Sequence, residues 1–184
     1  MRKILPFTIV LFLFTAAASA QVPTKGNVFL GYSYFSSDLS LIDRANLNGW
    51  NASLEGRVLP WVGLVGDSSG HYGSQVFGVV CTTQPCPLPI VNANVREHNF
   101  LFGPRVSFSA GKFRPFAQAL LGVGHVNSNG FGSDTSFATA IGGGLDYRLV
   151  RLVGWRVQAD YLQTRLFGAR NNNVRLSTGL VVHL

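Results

Sequence analysis

The chain has 184 residues, of which 12% are charged and 12% aromatic, with 21 glycines and a formal charge of +7. That is about half the charged share of an ordinary soluble domain. The basic excess forms no block or helical stripe, which argues against nucleic acid as a partner. The length suits one domain and hardly two.

The first element is a processing signal. Arg2 and Lys3 are followed by an apolar run from Ile4 to about Ala18, then by the small-x-small triplet Ala18-Ser19-Ala20. This order predicts a signal peptide over residues 1–20 and a mature domain over residues 21–184. An uncleaved N-terminal anchor is the alternative, although the run falls short of the roughly twenty apolar residues that span a bilayer. Removing Arg2 and Lys3 takes the formal charge from +7 to +5. No later apolar run is long enough for a spanning helix, so a membrane location would require strands.

Eight segments then alternate with period 2, which in a strand sends the two parities to opposite faces. They cover 27–35, 48–57, 61–69, 97–108, 114–124, 137–147, 154–164 and 174–184. In the first, Val28, Leu30, Tyr32 and Tyr34 oppose Asn27, Gly31 and Ser33, while Phe29 and Phe35 break the pattern by joining the polar side. The second sets Trp50, Ala52 and Leu54 against Asn51, Ser53, Glu55 and Arg57; the third, more weakly, sets Val62 and Leu64 against Gly63, Val65 and Asp67. Phe100, Phe102 and Val106 oppose Asn99, Gly103 and Arg105 in the fourth, and Ala117, Ala119 and Leu121 oppose Gln118 and Gly122 in the fifth. The sixth places Ile141 and Leu145 against Gly142, Gly144 and Asp146; the seventh, Trp155 and Val157 against Arg156, Gln158 and Asp160; the eighth, Leu176 and Leu180 against Arg175 and Ser177.

Most segments have 9–12 residues, close to the length of a tilted transmembrane strand. The connections run roughly 12, 3, 27, 5, 12, 6 and 9 residues, long and short by turns. An up-and-down barrel with both termini in the periplasm predicts that order, with long loops outside and tight turns inside. A soluble β-sandwich shows similar alternation, but two features favour lipid on the apolar face. The polar parity is rich in Gly, Ser, Ala and Gln rather than in the Lys and Glu of a solvated sheet. Tyr32, Tyr34, Trp50, Trp61, Tyr147, Trp155 and Tyr161 sit near segment ends, as interfacial girdles require. The predicted fold is all-β: an eight-stranded antiparallel up-and-down transmembrane barrel.

Glu55, Arg57, Asp67, Arg105, Gln118, Asp146, Arg156, Gln158, Asp160 and Arg175 all fall on the inward parity. Eight strands enclose little more than a side-chain-filled core, and unpaired charges there are costly. A crossed network of Arg–carboxylate pairs and amides is therefore expected, with a structural role as a plug; an ion path or a small-ligand site is the alternative. Inward glycines would make room for the long Arg side chains.

Cys81 and Cys86 lie in the third connection beside Pro85 and Pro87, and export predicts a disulfide between them. No metal site is expected, since two thiols are too few ligands, and no cofactor motif is present: Gly142-Gly143-Gly144 lies in a strand pattern. His71, His98 and His125 are expected near or beyond the outer strand ends as rim or loop residues, without a catalytic set.

The chain resembles the outer-membrane β-barrel domain family that includes the opacity-like proteins and the transmembrane domain of OmpA. The likeness rests on Phe29–Tyr34, Arg114–Gly122, Ala140–Asp146, Val157–Tyr161 and Val174–Leu180. It implies a monomeric barrel in outer-membrane lipid, assembled by the insertion machinery, with roles from envelope integrity to adhesion. Two departures stand out: the last residue is Leu184 where many members have Phe, and nothing after the last strand corresponds to the OmpA peptidoglycan-binding domain. The expected function is a non-enzymatic surface barrel, envelope-structural or adhesin-like through its outer loops. The alternatives are a narrow pore or small-ligand carrier, and a lipid-modifying enzyme. No residue names the loop partner.

Overall fold

The computed structural model describes residues 25–37, 45–77, 91–128, 132–165 and 171–184. They form β1 (Gly26–Ser37), β2 (Ala45–Arg57), β3 (Val62–Phe77), β4 (Val91–Ser107), β5 (Phe113–Ser128), β6 (Gly132–Arg148), β7 (Val153–Thr164) and β8 (Asn171–His183). Each strand pairs antiparallel with the next, and β8 pairs with β1, so the sheet closes without a free edge. Closure holds to the start of β1 and the end of β8, where the Leu184 amide donates to the Gly26 carbonyl at 2.8 Å.

The register fixes the stagger. From Arg57 on β2, cross-strand partners lead through Gly63, Arg105, Gln118, Gly142, Asp160, Arg175 and Phe35 to Leu47, back on β2. The circuit returns ten residues from its start (57 minus 47). Stagger and strand number together set the tilt and width of a closed barrel, and eight strands leave room only for side chains.

Short turns close one end, called here the turn end. The Val58 and Leu59 amides both reach the Val62 carbonyl, at 3.0 and 2.9 Å, around Pro60, which has no amide hydrogen to place. Ala110 and Phe113 exchange backbone bonds across Gly111, whose φ of 64° favours glycine. Leu149 and Val150 both donate to Val153 at 3.0 Å.

At the opposite, loop end the strands outrun the apolar alternation. The pattern predicts a third strand ending at 69 and a fourth starting at 97; the ladder continues to Phe77 and from Val91. Likewise β5 runs on to Ser128 and β6 begins at Gly132. Apolar alternation reports only the part of a strand that meets lipid on one side. Above it, polar residues keep the ladder: Ser74 Oγ donates to Asn94 Oδ1 at 2.9 Å, and His125 Nδ1 lies 2.7 Å from Thr135 Oγ1. Cys81 and Cys86, and residues 1–20, lie outside the described residues.

The parities face as expected. Leu54, Phe102, Val157 and Leu180 point outward with 48–60% of their surface exposed, in a belt with Leu30, Leu64, Leu121 and Ile141. An apolar belt that rings the molecule is far more than the scattered exposed Leu of a soluble domain. Trp61, Phe113, Tyr147 and Trp155 edge it toward the turns, and Tyr32, Trp50, Tyr72 and Tyr161 toward the loops. Inside, the two phenylalanines that break the pattern of β1 are buried. Phe35 belongs to an apolar cluster with Leu47, Val65, Leu101, Leu120, Val126 and Leu162.

Candidate functional site

The remaining interior is polar, and the barrel stagger decides who meets whom. Of the ten inward residues predicted from parity, nine are buried; Arg57 alone is half-exposed, at the turn-end mouth. It is the last residue of β2, paired with Gly63 where the ladder ends, so its side chain sits at the mouth.

Glu55 is the hub on the turn side. Its Oε2 accepts from Arg105 Nη1 and Asn27 Nδ2, both at 3.0 Å, and its Oε1 from Arg114 Nη2 at 2.9 Å. Arg156 Nη2 stands 4.0 Å from the same carboxylate, across the barrel. Arg156 spends its fork on Asp146, with Nε to Oδ1 at 2.6 Å and Nη2 to Oδ2 at 2.8 Å. This bidentate geometry is the strong form of the pair. The guanidinium carbons of Arg105 and Arg156 lie 4.3 and 4.7 Å from the Phe116 ring centroid, so an aromatic surface accompanies two like charges.

One row of register partners carries the network across the lumen. Arg105 Nε and Nη2 grip Gln118 Oε1 at 3.0 and 2.6 Å; Gln118 Nε2 donates to Asp160 Oδ1 at 2.6 Å. Asp160 Oδ2 accepts from Arg175 Nε and Nη2 at 3.1 and 2.8 Å, and Arg175 Nη1 reaches Asp67 Oδ1 at 2.6 Å and Ser69 Oγ at 3.0 Å. Asn51 closes the circuit, donating to Asp67 Oδ2 at 2.9 Å and accepting from Gln158 at 3.1 Å.

Gly142 stands between Gln118 and Asp160 in this row, and a Cβ there would collide with Asp160 Oδ1 and the Ala159 carbonyl. Gly142→Ala should therefore push Asp160 off Gln118 and cost about 1–3 kcal/mol, the usual range for overpacking. Urea titration in lipid vesicles checks this; an unchanged midpoint would show that the row tolerates displacement.

Arg105, Arg114, Arg156 and Arg175 balance Glu55, Asp67, Asp146 and Asp160, four charges of each sign with every member in an ion pair. The buried network is neutral and cross-linked, and it crosses the lumen. Asn27, on the polar parity of the first segment, joins it, as do Arg114 and Phe116, which the strand pattern does not single out. Counting back by twos from Gln118 reaches Phe116 and Arg114, a signal that Pro115 and the adjacent turn obscure.

His71 corrects the expectation of a rim or loop histidine: it is buried within β3. Its ring stacks on Phe35 at 4.6 Å, and Nε2 lies 2.9 Å from Ser33 Oγ, itself 3.0 Å from Ser177 Oγ. The longer ladder of β3 explains the difference. This Ser–His contact lacks the features of a catalytic set, because Nδ1 has no orienting partner and all three residues are buried. His98 meets the Tyr72 ring edge-on at 5.6 Å. Among the described residues no group of three or more His, Cys, Asp or Glu is placed to hold a metal ion.

A closed antiparallel barrel with an apolar outer belt, aromatic edges and a polar sealed lumen defines a small transmembrane β-barrel. The family model described as the outer membrane protein beta-barrel domain matches residues 7–182, and the chain belongs to that family; it is a bacterial outer-membrane barrel. Among curated proteins no sequence matches it. Solved structures with the same fold include Neisserial surface protein A, at 14% identity and a TM-score of 0.66, covering 85% of this chain and 96% of that one. Ail, the attachment invasion locus protein of Yersinia pestis, crystallised with the heparin analogue sucrose octasulfate, is 14% identical with a TM-score of 0.59, covering 87% and 98%. The N-terminal β-barrel domain of Pseudomonas aeruginosa OprF is 15% identical with a TM-score of 0.51, covering 86% and 97%. At these identities the likeness is one of fold.

Proposed function

We propose that this protein is a non-enzymatic surface barrel, a monomer delivered by the outer-membrane insertion machinery, with its turn end and termini in the periplasm and its loop end outside the cell. In this reading the barrel is a rigid mount and the loops make the contacts, adhesin-like or envelope-structural. The observation that carries the reading is the charge-balanced network in the lumen, in which each Arg and each carboxylate has an ion-pair partner, and this suits a plug better than a path. The polar outward positions beyond the aromatic edge, among them Asn46, Asn48, Asn94 and Asn127, support a loop end that stands in water. Fold likeness to an attachment invasion locus protein supports the adhesive form.

Cells expressing the protein should bind immobilised matrix glycoproteins or glycosaminoglycans several-fold better than cells expressing a barrel with truncated loops. Equal binding at equal surface display would count against adhesion. Purified protein in a planar bilayer should leave conductance at the lipid baseline; reproducible single-channel steps would favour the narrow-pore reading instead.

A further inference from the structure

The turn-end mouth holds a second cluster, which shares Arg114 and Asp146 with the plug. Arg57, Lys112, Arg114, Arg148, Arg151 and His183 line a cavity of about 160 Å³, and Asp146 is the sole side-chain carboxylate among its lining residues. Asp146 is already engaged by both prongs of Arg156. Among the described residues, no carboxylate lies within 4.0 Å of Arg57, Lys112, Arg148 or Arg151 in an ion pair. Four cations therefore gather without an ion-pair partner of their own, and the negative groups lining the cavity are Asp146 and the carboxylate of Leu184.

Two buried donors sharpen the point. Arg114 is 6% exposed; its Nη2 and Nε are held by Glu55 and Ser107, yet its Nη1 has no acceptor, and neither has the buried Nε of Arg57. A buried donor without an acceptor is costly; Arg156 Nη1, within the plug, is another. His183 adds a third group. Asn27 donates its amide to Glu55, so its Oδ1 accepts from His183 Nδ1 at 2.6 Å, leaving Nε2 as the ring atom free to take a proton and donate.

We propose that this pocket binds a phosphate group, as a phosphate ester or as the phosphate of a lipid headgroup. Converging guanidinium forks match the several oxygens of a phosphate better than the two of a carboxylate. The pocket also lies at the level of Trp61, Phe113, Tyr147 and Trp155, where headgroups meet the aromatic belt. The site is independent of the role of the loops.

The test is an NMR titration of isotopically labelled, folded full-length protein in zwitterionic detergent, with inorganic phosphate exchanged for chloride at constant ionic strength. Saturable shifts should appear at Gly111, Gly154 and the His183 ring, with Gly73 and Gly132 at the loop end unmoved. The double variant Arg57→Gln/Arg148→Gln should bind about tenfold more weakly or worse, a difference of 1.4 kcal/mol or more. If it fails to fold, judged by heat-modifiable gel migration, Arg151→Gln in the exposed turn serves instead and should also weaken binding. Non-saturable or uniformly spread shifts, or native affinity in the folded variants, would overturn the proposal. Nanodiscs of phosphatidylcholine with and without phosphatidic acid separate the two sources. Retention of phosphatidic acid in native mass spectra, with loss of the free-phosphate shifts, assigns the site to lipid; unchanged phosphate titration without lipid retention assigns it to a soluble ester.

Discussion

Glu55→Gln should lower the unfolding free energy in lipid vesicles by about 3–5 kcal/mol, the cost of removing one partner from a buried ion pair. The reason is its place as a hub: Arg105 and Arg114 both end on its carboxylate, and Arg156 stands 4.0 Å away. Neutralising it leaves four buried arginines facing three carboxylates. The amide is nearly the same shape, so packing is preserved and the change isolates charge. Glu97→Gln is the matched control. Glu97 is equally buried, but its hydrogen bond comes from Asn99 at 3.1 Å and no cation pairs with it among the described residues, so its midpoint should shift little or rise. Trp50, Trp61 and Trp155, spread over both edges of the belt, report unfolding by fluorescence. Equal effects of the two substitutions would mean that water entering the lumen screens the hub.

Arg175→Met should be as damaging, about 3–5 kcal/mol, for the opposite reason. Its guanidinium bridges Asp67 at 2.6 Å and Asp160 at 2.8 Å, and all three side chains are fully buried. Without it two carboxylates share a closed space. Adding Asp67→Asn and Asp160→Asn should return most of the loss, because a buried triad is replaceable by neutral groups while a broken one is not. A triple variant as unstable as the single one would show that Arg175 acts through packing and its bond to Ser69 rather than through charge.

The fold was legible because every lipid-facing strand must alternate, and the alternation survives in segments such as Trp50–Arg57 and Val174–Leu184. The composition of the site was legible for the same reason: parity alone turns Glu55, Arg105, Asp160 and Arg175 inward. Their pairing was not. Asp67 and Arg175 are 108 residues apart, and only the ten-residue stagger brings them together. The true strand ends were hidden because water on both faces removes the apolar signal while the ladder continues. That same loss of signal moved His71 from an expected rim position to the interior. Arg57 shows the converse limit: parity gives the side a residue faces, while its height along the barrel decides whether it is sealed in or left at the mouth.

The transmembrane orientation of the two faces underlies all of this, and single spin labels at Leu54, Phe102, Val157 and Leu180 in reconstituted protein test it most directly. Dissolved oxygen concentrates in hydrocarbon, whereas a water-soluble nickel chelate stays outside. Relaxation at all four sites should be dominated by oxygen, while a label at Asn48 or Asn127, beyond the aromatic edge, should respond to nickel. Nickel dominance at all four belt positions would place that face in water and contradict the outer-membrane barrel.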